Sequence, residues 1–263
     1  MGKKIKNHYV SYKKSKRKNL FKLMVKIYFV IIILFCVAFI FGYAETDGSE
    51  YRSFKPQNEN NSQKYVALTF DDGPNPKTTS VVLDALEKHN AAATFFVLGK
   101  LAARYPEQIC RMASIGCEIG NHSWAHEYFT EISELKLYET IDDTFNALSS
   151  ACGVKSNLIR APGGKTNPEI CRWLNKPIIN WSVDTNDWLY HDTERLVNYV
   201  LQNTENGDIV LMHDIYPTTA YAVERIITGL SEKGFIFLTV SELLGLDKLG
   251  EMANGMVFYG NRR

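Results

Sequence analysis

The chain has 263 residues, 45% of them hydrophobic, five cysteines and a formal net charge of +1. Residues 1–26 hold ten of the 30 Lys and Arg and no acid, so the remainder carries 20 basic against 29 acidic residues, a net of −9. The length suits one catalytic-size domain with extensions, and a net-acidic body argues against nucleic acid as its partner.

The basic lead, 1–26, runs into "IYFVIIILFCVAFIFGYA", residues 27–44, which are 18 residues without a charge. That is about the shortest apolar run that crosses a bilayer, and Lys and Arg on its N-terminal side predict a cytoplasmic tail with the body outside the cell. The long basic lead and long apolar run predict a retained signal-anchor helix; cleavage after Ala44, where Gly42 and Ala44 are small, is the alternative and would give a secreted protein. Residues 45–64 are polar and read as a flexible linker. Four cysteines lie in the body, Cys110, Cys117, Cys152 and Cys171. An outside location permits disulfides, three full pairings are open, and none of the cysteines forms a CxxC metal motif.

From Val66 onward, short apolar strands alternate with helical patterns. "YVALTF" and "AATFFVLG" read as strands on either side of the helical "TTSVVLDALEKHN". "PEQICRMASIG" is a helix with Pro106 near its start, "CEIGNHS" a short strand, and "SELKLYETIDDTFNALSSACG" a longer helix stopped by Gly153. "LIRAPGG", "IINWSVD", "DIVLMHD" and "FIFLTVSELL" each carry a short apolar run, with the helical "TERLVNYVLQNT" and "TAYAVERIITGLSEKG" between them. Alternation of this kind predicts a parallel sheet in an α/β fold. Asp71, Asp72, His122, Arg160, Asp184, Asp187 and His213 all follow the C-terminal end of a predicted strand, the edge on which a parallel barrel builds its active site.

Two adjacent carboxylates, Asp71 and Asp72, repel unless a metal or an arginine compensates them. "NHSWAH" sets His122 and His126 four apart, and a carboxylate from another strand end would complete a two-histidine, one-carboxylate metal set with positions left for water. "IRAPGG" supplies Arg160 and a glycine backbone able to face an oxyanion. "DTNDW" holds Asp184, Asp187 and Trp188, and "IVLMHD" ends an apolar run in His213.

In this order the five stretches "TFDDGP", "HSWAH", "RAPGG", "DTNDW" and "LMHD" resemble the polysaccharide deacetylases of the NodB-homology type, carbohydrate esterase family 4. The resemblance covers residues 65–247, taken as the catalytic domain, with 248–263 as a C-terminal tail. It implies a distorted (β/α) barrel and a metal, Zn2+ or another divalent ion such as Co2+, on Asp72, His122 and His126. It implies Asp71 as general base, held by Arg160, and His213 as general acid, supported by Asp187. Gly163 would offer its backbone N–H to the oxyanion, although an aromatic residue often stands at that position. Trp188 and Leu211 would wall the acetyl pocket.

The implied reaction is hydrolysis of the N-acetyl group of N-acetylglucosamine in an extracellular glycan, releasing acetate. An anchored domain in a walled bacterium meets peptidoglycan first. Chitin oligomers, poly-GlcNAc and N-acetylmuramic residues stay open, as does amidohydrolysis of small cyclic amides. A non-catalytic glycan-binding scaffold would be expected to lose Asp71, a metal ligand or His213, and all are present. The expected partners are the glycan and the membrane, and the catalytic domain is expected to be monomeric.

Overall fold

The computed structural model describes residues 63–260. The tail at 1–26 and the anchor at 27–44 lie outside the described residues, as does the linker apart from Gln63 and Lys64. Among the described residues no helix is long and apolar enough to cross a membrane.

In chain order the elements are β1 (Lys64–Asp71), α1 (Thr78–His89), β2 (Thr94–Val97), α2 (Gly99–Arg104), α3 (Pro106–Ser114), β3 (Glu118–Asn121), α4 (Glu134–Cys152), α5 (Pro168–Leu174), β4 (Ile178–Ile179), β5 (Val183–Asp184), α6 (Thr193–Asn203), β6 (Asp208–His213), α7 (Pro217–Glu232), β7 (Phe235–Phe237), α8 (Val240–Leu244), α9 (Leu246–Leu249) and β8 (Val257–Phe258). Helix ends follow local chemistry. The Ser133 hydroxyl accepts from Lys136 N–H to start α4, and Gly153 at φ 66° ends it. Asn90 closes α1 in the left-handed region.

The main sheet runs β3–β2–β1–β6–β5, with β7 also pairing β1, and every pairing is parallel. Single parallel bridges carry the pairing from Asn121 to Ile159 and on to Ile178 in β4, which pairs with β8. The strands therefore form an incomplete, distorted ring. "LIRAPGG" contributes only two bridges, both through Ile159, and "IINWSVD" splits into two strands of two residues each.

The side-chain alternation of a strand sorts β1 into two sets. Val66, Leu68 and Phe70 point outward into a core shared with Leu83, Val197 and Val223 of the surrounding helices. Ala67 joins an inner core with Phe96, Ile209 and Phe258. Thr69 and Asp71 share the inward parity of Ala67, so the strand delivers Asp71 to the mouth of the ring. On β6, Val210 and Met212 face the helices while Ile209 faces the inner core, which gives Leu211 and His213 the inward parity. The segment read as a C-terminal tail belongs to this architecture through residue 260. Phe258 is buried in the inner core, and β8 supplies the partner of β4.

Candidate active site

Asp71 and His213 are register partners at the ends of β1 and β6. Asp71 is buried, and its Oδ1 accepts from Arg160 Nη1 at 2.8 Å. Arg160 is fully buried and donates four hydrogen bonds. Nη1 also reaches Thr69 Oγ1 at 2.8 Å, Nε donates to Ile179 O, and Nη2 donates to Asn180 O, both at 3.1 Å. Its guanidinium lies 4.1 Å from the Phe96 ring centroid. Burial works against the arginine's charge and Asp71 supports it. Removing Asp71 would leave an unmatched buried cation, so the pair is mutually obligatory.

Asp72 turns the other way. Its φ of 72° is left-handed, which aspartate tolerates better than most residues, and this sends its carboxylate toward the β3 loop. Gly73 follows because no side chain fits there: a Cβ would stand 2.7 Å from Asp214 Cγ.

His122 sits just past β3 and is buried. Its Nδ1 is 2.8 Å from Arg160 O, and a carbonyl only accepts, so Nδ1 carries the proton and Nε2 the lone pair. Burial pushes the imidazole down, against the pull of Asp71 and Asp72, which keeps it neutral. His122 Nε2 lies 3.6 Å from Asp72 Oδ1, and His126 Nε2 lies 3.5 Å from the same oxygen. The intervening loop is pinned by its own polar groups. Ser123 Oγ accepts from the N–H of His126 and Glu127, Asn121 Oδ1 accepts from Ser123 N–H, and Thr140 Oγ1 accepts from Trp124 N–H.

The three candidate ligand atoms all lie within 4.8 Å of one another. Asp72 Oδ1 is buried with no hydrogen-bond partner. A carboxylate oxygen facing an imidazole lone pair, with no proton to share, is a costly arrangement unless a cation lies between them. The donor set of one carboxylate and two imidazoles therefore fits a divalent metal of the zinc or cobalt kind.

His213 Nδ1 meets Asp187 Oδ1 at 2.7 Å, and His213 N–H donates to Asp187 Oδ2 at 2.8 Å. Thr219 Oγ1 donates to that second oxygen at 2.7 Å. Burial alone would push His213 down. The hydrogen bond and charge of Asp187, with Asp71 and Asp72 further off, outweigh it and hold the imidazole up at about 9.

Of the remaining expected residues, Gly163 is exposed with φ 64°, and its N–H makes no backbone hydrogen bond among the described residues. Leu211 is buried one inward position below His213, while Trp188 stands half exposed after β5. Asp184 is not drawn into the cluster; its Oδ1 accepts from Asn186 N–H within its own turn. Asp214, which follows His213, is a further residue of the site outside the five motif roles expected from sequence. It is fully buried, accepts from the Thr79 hydroxyl, and leaves Oδ1 unpartnered. Burial pushes its carboxyl up to about 7, Asp72 adds to this, and Thr79 opposes it. The signal for Asp214 in the sequence is the His-Asp dipeptide at a strand end.

A parallel α/β ring with an Asp-His-His cluster and an Asp-Arg pair at its mouth defines a metal-hydrolase class of site. The family model for polysaccharide deacetylase matches residues 58–177. The chain is 40% identical over 190 residues to the peptidoglycan-N-acetylmuramic acid deacetylase PdaC of Bacillus subtilis, a match covering 72% of this chain and 41% of PdaC. It is 37% identical over 193 residues to a peptidoglycan-N-acetylglucosamine deacetylase of Bacillus cereus, covering 70% of this chain and 90% of that protein. A family 4 acetyl xylan esterase from Clostridium thermocellum, solved with a cobalt ion, superposes with a TM-score of 0.70 at 32% identity, covering 75% of this chain and 98% of the other. The chain belongs to the polysaccharide deacetylase family, carbohydrate esterase family 4. It spans about two fifths of the length of PdaC.

Proposed function

We propose that the chain is a metal-dependent deacetylase that hydrolyses the N-acetyl group of N-acetylglucosamine residues in peptidoglycan. The observation that carries this reading is the pair of unlike aspartates at the end of β1, one held on a buried arginine and the other facing two imidazoles. Asp72, His122 and His126 would hold a divalent ion, zinc by preference, which when bound supplies an acidified water and positive charge for a developing oxyanion.

The chain's own groups do the rest. Arg160 occupies Oδ1 of Asp71, which leaves Oδ2 to take the proton of the attacking water. The Gly163 N–H faces the oxygen of the tetrahedral adduct. His213, held as a cation by Asp187, gives its Nε2 proton to the departing sugar nitrogen. Water and the acetamide become acetate and an ammonium sugar, with no acyl-enzyme. Leu211 and Trp188 close the acetyl methyl off from water.

The peptidoglycan assignment is supported by the names of the relatives, and the extracellular, membrane-anchored location by the one-sided charge around residues 27–44. The likeness to PdaC favours a second reading, the same chemistry on N-acetylmuramic residues. Acetate release from purified peptidoglycan and GlcNAc oligomers, with mass analysis of the sugars, tests both. Glucosamine units are the expected product; muramic amine alone would replace the first reading with the second. No acetate from a zinc-loaded protein would sink both.

A further inference from the structure

We propose that Tyr128 is a sugar-binding residue of this site, its ring and free hydroxyl filling the space over Gly163 from the opposite loop. The inference rests on the glycan-deacetylase reading and deepens it. Tyr128 lies two residues after His126 and directly before a short 3-10 turn, Phe129–Glu131. Phe129 is buried in the core between α4 and α5, and Tyr128 O accepts from Glu131 N–H at 2.9 Å, so the backbone beneath Tyr128 is anchored.

The ring of Tyr128 is bounded on three sides. His126 meets it edge to face, with centroids 5.5 Å apart and planes at 79°. Gly163 lies against it: a Cβ on that glycine would stand 2.9 Å from Tyr128 Cε1. Lys165 places Nζ 5.0 Å from the ring centroid. A side chain at 163 would thus collide with Tyr128, and φ 64° disfavours one on its own account. The two loops have divided one space, with the glycine supplying backbone and the tyrosine supplying surface.

That surface lies between a candidate metal ligand and the proposed oxyanion donor, where the acetamide-bearing sugar must sit. The residue is half buried, and its hydroxyl makes no hydrogen bond among the described residues. Packing alone would be served as well by phenylalanine. A rigid ring with an unpaired polar tip, at the rim of a polar site, suits a pyranose that presents both C–H faces and hydroxyls.

The test uses the full chain loaded with zinc, beside Tyr128→Phe and Tyr128→Ala, on GlcNAc tetramer. Metal content and Tm are measured on each. Tyr128→Phe is expected to raise KM about 3- to 10-fold through one lost hydrogen bond. Tyr128→Ala is expected to raise it ten-fold or more, and kcat, bound zinc and the Tm of Tyr128→Phe should stay close to those of the unmutated chain. An active Tyr128→Ala variant with unchanged KM overturns the inference, as does a KM change tracked by equal loss of zinc or Tm in Tyr128→Phe. Tetramer binding by calorimetry on an Asp71→Asn background separates the two readings. If the unmutated chain releases no acetate, the deacetylase reading fails. Loss of binding on adding Tyr128→Ala still supports the sugar contact, and unchanged binding, or no binding at all, overturns it.

Discussion

Asp71 Oδ1 is held by Arg160 at 2.8 Å, which leaves Oδ2, 3.7 Å from His122 Nε2, as the free basic atom of the site. Asp71→Asn is therefore expected to lower kcat about 10²- to 10⁴-fold, the usual size of a lost general base, while retaining zinc by elemental analysis. His126→Ala should lose zinc itself, because it removes one of three ligands. The opposite result, zinc lost in Asp71→Asn and kept in His126→Ala, would reverse the two roles. His213 has a pKa raised from its ordinary 6.5 to about 9. Its ion pair with Asp187 therefore stabilises the fold fully below about 6.5, and that contribution is lost as pH rises through about 9. The alkaline limb of the pH–rate profile follows the same proton: kcat/KM should fall above pH about 9, and Asp187→Asn should move that limb to lower pH. A pH–rate profile of both proteins checks this.

At the scale of elements, helix ends were legible because each has a local chemical cause, as in Ser133 before α4, Gly153 after it and Asn90 after α1. The strands were less so. β4 and β5 are two residues each, and residue 159 makes only bridges. Their pairing depends on partners far along the chain, which no local pattern encodes. The cysteines show the same division. Four thiols allow three pairings, yet the helices bring Cys110 of α3 within 3.2 Å of Ala151 O in α4, the residue next to Cys152. Cys152 is exposed. Exchange with an exogenous disulfide such as oxidised glutathione is expected to join Cys110 to Cys152. This closes a 43-residue loop and raises Tm by about 5–10 °C, from roughly 2–4 kcal/mol. Peptide mapping under non-reducing conditions checks the linkage, and Cys152→Ser should abolish the shift.

The described residues form an incomplete ring of parallel pairings that needs both of their ends. β8 pairs β4, and Phe258 packs with Phe96 and Ile209 inside the ring. Removing residues 248–263 would leave β4 without that partner and uncover Ile179 and Leu243. A chain ending at 247 is expected to lose several kcal/mol, since a buried Phe alone is worth about 3–5 on truncation to Ala. Thermal melts of the two chains measure it, and equal Tm values would show the segment to be an appendage.

The chemistry at the strand ends is legible in the amino-acid order: the residue types at 71, 72, 122, 126, 160, 187 and 213, the strand-helix alternation and the five-motif order are all local text. The parity of β1 and β6 was also implicit in it, because side chains alternate at every residue. The motif resemblance already paired Asp71 with Arg160, and the tertiary structure supplies the physical reason: the left-handed φ of Asp72 turns one carboxylate from the other. Tertiary structure alone placed Asp214 beneath Gly73 and Tyr128 over Gly163. Those contacts join loops that are 141 and 35 residues apart in the chain, and excluded volume between distant segments leaves no periodic or compositional trace in either one.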